Sequence, residues 1–326
     1  MTKRIDIVLF LLLAAMLLVG CSHRNDPTEP LTTTKNEITL KTGVTSRIKR
    51  IAGIDSNSDL QEKALKIDAY YNGTDTKHIN GTKLVYDTDH WRFDDGSGNE
   101  LHYYWPFEGS KTSSGDDAST LDFVGFCPFT KPAYIGAPTY AHATGVSFTC
   151  DMSTYMTPAS QTSMQEFLIA VSNSQTLANQ EAHNGVPMEF KHPFALIKFV
   201  IAEGSGTAVT VDSIGISDLY TTATCTYDGT DLTWGSHDDA AAMSQDGLNL
   251  RVDGTTETRP FMVIPKNYGT KTLTIKGTWT DWSNPLTKNL SAEVTLDWQP
   301  GYIYTYTLTV TKYALKVDIT RYTEQW

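Results

Sequence analysis

Cys21 is the residue whose chemistry is set most sharply by its surroundings. It follows Leu18-Val19-Gly20 at the end of an apolar run, Ile7 to Val19, that Lys3 and Arg4 precede. A basic start, a short apolar core and a small residue before a thiol make an export signal with a lipid-attachment site. The run is about 14 residues long, short of the roughly 20 that a helix needs to cross a bilayer. The expectation is that residues 1–20 are removed, that the Cys21 sulfur takes a diacylglyceryl group, and that its freed amine takes a fatty acyl chain such as palmitate. Two or more chains give stable anchoring, so the mature chain is expected on a membrane surface outside the cytoplasm.

Other reactive side chains form no comparable constellation. Asp94-Asp95-Gly96-Ser97-Gly98-Asn99-Glu100 crowds oxygen ligands into seven residues but lacks the full 12-residue calcium-loop pattern, and reads as a polar hairpin tip. His183 and His192 stand nine residues apart with no HExxH frame, so no metal is assigned. Beyond Cys21 the cysteines are Cys127, Cys150 and Cys225, an odd set that makes no disulfide framework. Cys127 and Cys150 either pair in an oxidising compartment or remain small buried thiols. There is no Gly-x-Ser-x-Gly elbow, phosphate-binding glycine loop or dinucleotide fingerprint, so neither enzyme activity nor a cofactor is expected. Trp91, Trp105, Trp279 and Trp282 offer rings that stack on sugars if exposed, or that fill a sheet core if not.

Charge narrows the partners. Without Lys3, Arg4 and Asp6 the chain carries 24 basic against 36 acidic residues, a formal net charge of −12. A scattered acidic balance disfavours nucleic acid and anionic lipid.

The elements behind these residues read as strands. Ser22 to Lys35, with Pro27, Pro30 and Thr32-Thr33-Thr34, has no apolar periodicity, and residues 21–35 are read as a tether. From Ile38-Thr39-Leu40-Lys41 onward, runs rich in β-branched and aromatic residues alternate with Gly, Asn, Asp and Pro clusters. They include Ala64 to Tyr71, Lys83 to Tyr86 and His90 to Phe93 about an Asp87-Thr88-Asp89 turn, Leu101 to Trp105, Leu121 to Phe126, and Val146 to Cys150. Met164 to Val171 fits helical spacing but is short, and is read as a strand. A second series runs through Met188 to His192, Ala195 to Ala202, Ala208 to Ile216, Leu219 to Tyr227, Asp231 to Trp234, Leu248 to Val252, Phe261 to Ile264, Leu273 to Trp279, Leu290 to Leu296 and Tyr302 to Thr311. Such spacing, with no long helix, predicts an all-β chain of two antiparallel β-sandwiches, residues 36–182 and 183–326, joined near Ala178 to Gly185. A last strand, Ala314 to Tyr322, points Leu315, Val317 and Ile319 one way and Lys316, Asp318 and Thr320 the other. It either pairs with its own sheet or adds to another molecule's.

In order along the chain, several segments together resemble the fimbrillin family of Bacteroidales, the lipoprotein precursors of surface fimbriae. They are the lipobox at Cys21; Ile38-Thr39-Leu40 followed by Ser46-Arg47-Ile48-Lys49-Arg50; Tyr104-Trp105-Pro106; and Asp122-Phe123 running to Pro128. Met188-Glu189-Phe190-Lys191-His192, Ala195-Leu196-Ile197-Lys198-Phe199, Val263-Ile264-Pro265 and Trp298-Gln299-Pro300-Gly301-Tyr302-Ile303-Tyr304 continue the series. The resemblance implies two transthyretin-like sandwiches in tandem and a stalk or tip subunit, structural or adhesive, of a fimbrium at the outer-membrane surface. Its implied partners are other subunits or further copies of itself in a head-to-tail polymer, the outer membrane through the lipid, and a host or bacterial surface ligand. In that family a surface protease cuts after an Arg beyond the first strand, and the vacated groove takes a terminal strand from the next subunit. Carried onto this chain, the cut falls after Arg47 or Arg50, the displaced strand holds Ile38, Thr39 and Leu40, and the donor holds Leu315, Val317 and Ile319. The competing readings are an uncut basic loop, a tail that pairs at home, and a glycan-binding surface lipoprotein.

Overall fold

The structure, a computed structural model, describes residues 36–44, 56–107, 119–161, 164–204, 206, 208–281, 284–318 and 324–325. Cys21, the tether, Arg47 and Arg50, Trp282 and Ile319 lie outside the described residues. The strands in chain order are β1 Leu40–Val44, β2 Leu65–Tyr71, β3 Lys77–Asp87, β4 His90–Asp94, β5 Glu100–Leu101, β6 Leu121–Cys127, β7 Thr139–Ala141, β8 Gly145–Asp151, β9 Leu168–Gln175 and β10 Val186–Phe190. They continue as β11 Ala195–Glu203, β12 Val209–Tyr227, β13 Leu232–Val252, β14 Thr255–Glu257, β15 Phe261–Val263, β16 Asn267–Asp281, β17 Asn284–Asp297, β18 Tyr302–Val310, β19 Leu315–Asp318 and β20 Glu324–Gln325. The helices among the described residues are short, and none is long and apolar enough to cross a membrane.

Four sheets result. One has the order β5-β4-β3-β2-β6-β9, and a second runs β17-β16-β12-β8-β7 with β13 along β12. A third runs β14-β11-β18-β19, with β15 on β11 and β20 on β18; the fourth is the parallel pair β1-β10. The chain is all-β, and its strand pairs are antiparallel apart from β1–β10 and β11–β18.

Alternation explains how the layers close. In β16, Leu273, Ile275 and Trp279 turn inward, while Thr272, Thr274 and Lys276 between them face out. They meet Phe199, Ile201, Tyr306 and Leu308 of the facing β11–β18 sheet in one core around Trp279 and Trp298. A second core, around Phe123, joins Leu65, Ile67 and Leu168 to Leu40, Val186 and Phe190 of the β1–β10 pair. β6 is buried along its whole length because both its faces are used. Leu121 and Phe123 belong to the Phe123 core, whereas Val124 and Phe126 face a third cluster containing Phe148, Phe167 and Cys225. The expected division at residue 182 falls inside the helix Leu177–His183. Two strands that precede it, β7 and β8, share a sheet with β12 that follows it.

Some expected boundaries shift. The first strand is Leu40–Val44, with Ile38 buried just ahead of it. Leu101 to Trp105 yields only the two-residue β5, because the segment turns inward to bury Trp105. Ala208 to Ile216 and Leu219 to Tyr227 are one strand: Asp218 at φ 55 absorbs a register shift without ending the ladder. Likewise β13 runs unbroken through polar Gly235 to Asp246, whose pairing is made by backbone and needs no apolar signal.

Candidate functional site

The seat of the first strand is built from apolar side chains and single polar contacts. Ile38 and Leu40 are 3% and 6% exposed and pack in the cluster holding Leu60, Leu65, Trp105, Val186 and Phe190. One edge of β1 runs parallel to β10, from Leu40 opposite Val186 to Val44 opposite Phe190, and the Val186 N–H donates to the Thr39 carbonyl at 2.8 Å. Among the described residues no strand pairs with the other edge. There Ile38 N–H donates to the Tyr103 carbonyl at 2.7 Å and Val44 N–H to Asn57 Oδ1 at 3.0 Å, while on the β10 edge, just ahead of the ladder, Thr39 N–H donates to Gln180 Oε1 at 2.9 Å.

Gln180 sits on the helix Leu177–His183. Thr176 caps its start, accepting from Asn179 N–H, and Asn184 in the left-handed region ends it. Gly185 then turns the chain into β10 at φ +124, where a Cβ would stand 3.0 Å from Lys41 N and 3.1 Å from the Leu40 carbonyl carbon. The backbone of β1 therefore lies so close that a Cβ at this position would make the neighbouring strand give by a few tenths of an ångström. Buried Gln180 Oε1 also accepts the Trp105 indole N–H at 2.9 Å. Beside it, His78 Nε2 lies 3.0 Å from the Tyr104 carbonyl and Nδ1 lies 3.0 Å from the Tyr71 hydroxyl. A carbonyl only accepts, so Nε2 carries the proton and Nδ1 takes the Tyr71 O–H. Burial lowers the His78 pKa, with the Tyr104 carbonyl opposing.

At the other end of the chain the terminal segment pairs at home. β19 lies antiparallel to β18, with Val310 opposite Leu315 and Thr307 opposite Asp318, and β20 meets Ile303 and Tyr302 further along the same edge. Leu315 is buried in the Trp279 core and Val317 packs partly against it. The turn between β18 and β19 is self-bonded: Thr311 N–H donates to the Ala314 carbonyl, and Thr311 Oγ1 accepts from Ala314 N–H at 3.0 Å.

The other sequence-marked groups are occupied structurally. Asp94 accepts from Gly96 N–H at 2.8 Å, and Asp95 accepts from the backbone N–H groups of Ser97 and Asn99. These bonds hold the carboxyls of both residues below the usual carboxylate range; for Asp95 the Asn99 side-chain amide leads, for Asp94 the Gly96 N–H. His183 closes the helix and His192 is buried beyond β10. Cys127, Cys150 and Cys225 are free and buried, and burial pushes the Cys127 and Cys150 thiols up to about 12. Trp105 and Trp279, considered above as sugar-stacking rings, are buried core residues, and Trp91 is half-buried edge-on to Tyr86. No sequence pattern marks Gln180, Asn57, Tyr103 or Gly185; their roles exist only through contacts between distant segments.

A family model described as fimbrillin-like matches residues 55–326. Among solved structures, a candidate cell adhesion protein from Bacteroides uniformis superposes with a TM-score of 0.52 at 19% identity, covering 89% of this chain and 99% of its own. Another from Bacteroides ovatus gives 0.51 at 12% identity, covering 89% and 97%. At these identities the likeness is one of fold. A comparison with curated proteins gives no match.

Proposed function

The chain belongs to the fimbrillin-like family, and from that membership we propose that it is a structural or adhesive subunit of a cell-surface fimbrium that polymerises with other fimbrial subunits. The finer reading is export as a lipoprotein through Cys21 to the outer membrane, trimming after Arg47 or Arg50, loss of the strand around Ile38 to Leu40, and its replacement by a neighbour's Leu315, Val317 and Ile319. The tandem sandwiches 36–182 and 183–326 are proposed as its working units; the Phe123 core draws mainly on the first and the Trp279 core mainly on the second, with Val186, Met188 and Phe190 crossing into the first.

One observation carries the strand-exchange reading. The first strand plugs an apolar seat with Ile38 and Leu40, yet a strand ladder holds it along one edge only. Its loss would leave the β10 edge with unpaired N–H and C=O groups above an exposed trough, which an incoming strand restores through ladder bonds and burial together. The strand at Leu315, Val317 and Ile319 has the needed alternation. An open β10 edge and a tail that can leave β18 are the two halves of a head-to-tail joint.

The test is controlled trypsin digestion of the full chain, followed by mass spectrometry and size-exclusion chromatography. Cleavage near Arg47 or Arg50 should be followed by a ladder of oligomers that vanishes when residues 313–326 are deleted. Trimmed protein that stays monomeric, or oligomers indifferent to the deletion, would overturn the reading.

A further inference from the structure

Outside the β10 ladder three separate groups take N–H donors of this segment one at a time: Tyr103 O and Asn57 Oδ1 on the edge away from β10, and Gln180 Oε1 on the β10 edge just ahead of the ladder. Gln180 differs from the other two. Its side-chain oxygen accepts from Thr39 N–H and from the Trp105 indole at 2.9 Å each, so both lone pairs are used and three distant segments meet on one atom. The helix that carries Gln180 runs through Gly185 directly into β10. A single continuous stretch, Leu177–Phe190, therefore holds the whole β10-facing edge of this segment, by ladder from Leu40 onward and by an amide at Thr39.

We infer that Gln180 is the latch that sets how often the first strand leaves its seat. A ladder of neighbouring bonds opens cooperatively, whereas a lone side-chain bond breaks by itself. A single side-chain bond at Thr39, where the ladder begins, fixes the leading end of the strand while leaving its opening a local event. Gln180 acts as a positioning residue through the backbone of Thr39, and the same oxygen accepts the Trp105 indole N–H as a second donor. The biological use of the latch rests on the strand-exchange reading above; the latch itself is a property of the uncut chain.

Hydrogen exchange on the full chain reads it directly. Gln180→Met keeps the length of the side chain and removes the acceptor. Peptides spanning 38–44 should then exchange about five- to tenfold faster, the scale of one lost hydrogen bond, with β16 and β17 unchanged. Gln180→Asn, one methylene shorter, should give the same ordering with less change in packing. Trp105→Phe removes the orphaned indole N–H from the comparison: alone it should leave 38–44 near wild type, and combined with Gln180→Met it should behave like Gln180→Met. Unaltered exchange at 38–44 in both Gln180 variants, or equal acceleration throughout β16 and β17, would overturn the latch.

A second arm separates this from the reading beneath it. Trypsin-trimmed protein is offered a fluorescent peptide of sequence 314–322, and uptake is followed by anisotropy. If Gln180→Met speeds exchange at 38–44 and the peptide never binds, strand exchange is wrong and the latch stands. If the peptide binds and uptake is no faster in Gln180→Met, the latch is wrong and strand exchange stands.

Discussion

His78 shows how a single proton can report on the first-strand region. Its ring is held neutral between a carbonyl that only accepts and a hydroxyl that donates, and burial depresses its pKa below the ordinary 6.5. The unfolded chain takes up a proton as pH falls through about 6.5, and the folded chain does so only further down. The stabilising contribution is therefore complete above about pH 6.5 and is lost as pH falls toward the depressed folded value. Urea melts of wild type and His78→Gln should converge as pH drops from 7.5 to 5; a gap that stays constant would rule this out. Trp279 tests a different property of single residues. It is fully buried, and its indole N–H has no hydrogen-bond partner among the described residues. Trp279→Ala should cost roughly 3–5 kcal/mol, whereas Trp279→Phe, which also removes the unpaired donor, should cost less than half as much in chemical denaturation. Neither change should alter retention on a polysaccharide gel, since no sugar reaches that ring.

Elements carry the next set of consequences, and they were unevenly legible. The alternation in β8, with Val146, Phe148 and Cys150 inward, and the apolar run of β6 were readable because side-chain pattern and burial coincide there. The middle of β13 was not, since it is held by backbone bonds along β12 and buries Met243 and Gln245 among residues that are otherwise polar or small. The helix around Gln180 was also missed. At seven residues it is too short to show a period, and it is specified by its caps at Thr176 and Asn184. The same segment contains the tightest steric demand on the first strand. Gly185→Ala places a Cβ against the backbone of Leu40 and Lys41 and forces a left-handed φ on a residue that resists it. The expected cost is roughly 1–3 kcal/mol, with the loss of protection largest at 38–44. Uniform loss across β11 and β18 would show instead that the whole fold depends on this turn.

For the whole molecule, charge is the property the sequence states without any structure. A chain of formal net charge −11 repels its copies, and that repulsion is screened beyond about 8 Å at physiological salt. Oligomerisation of trimmed protein should therefore speed up as salt rises from 50 to 300 mM; a slowing would mean that attractive charge pairs govern the joint. What the sequence hid at this scale is connectivity. Nothing in Val146 to Cys150 announces that β8 crosses to pair with β12, since that contact links segments some seventy residues apart. The tail is the feature with the widest reach. Resting on β18, it is a ligand already bound within its own molecule, at an effective concentration on the order of millimolar. Free subunits in dilute solution would then keep to themselves. On the proposed strand-exchange reading, growth would be confined to places where subunits are crowded to a comparable density, and a two-dimensional layer of molecules tethered as proposed would provide such a place.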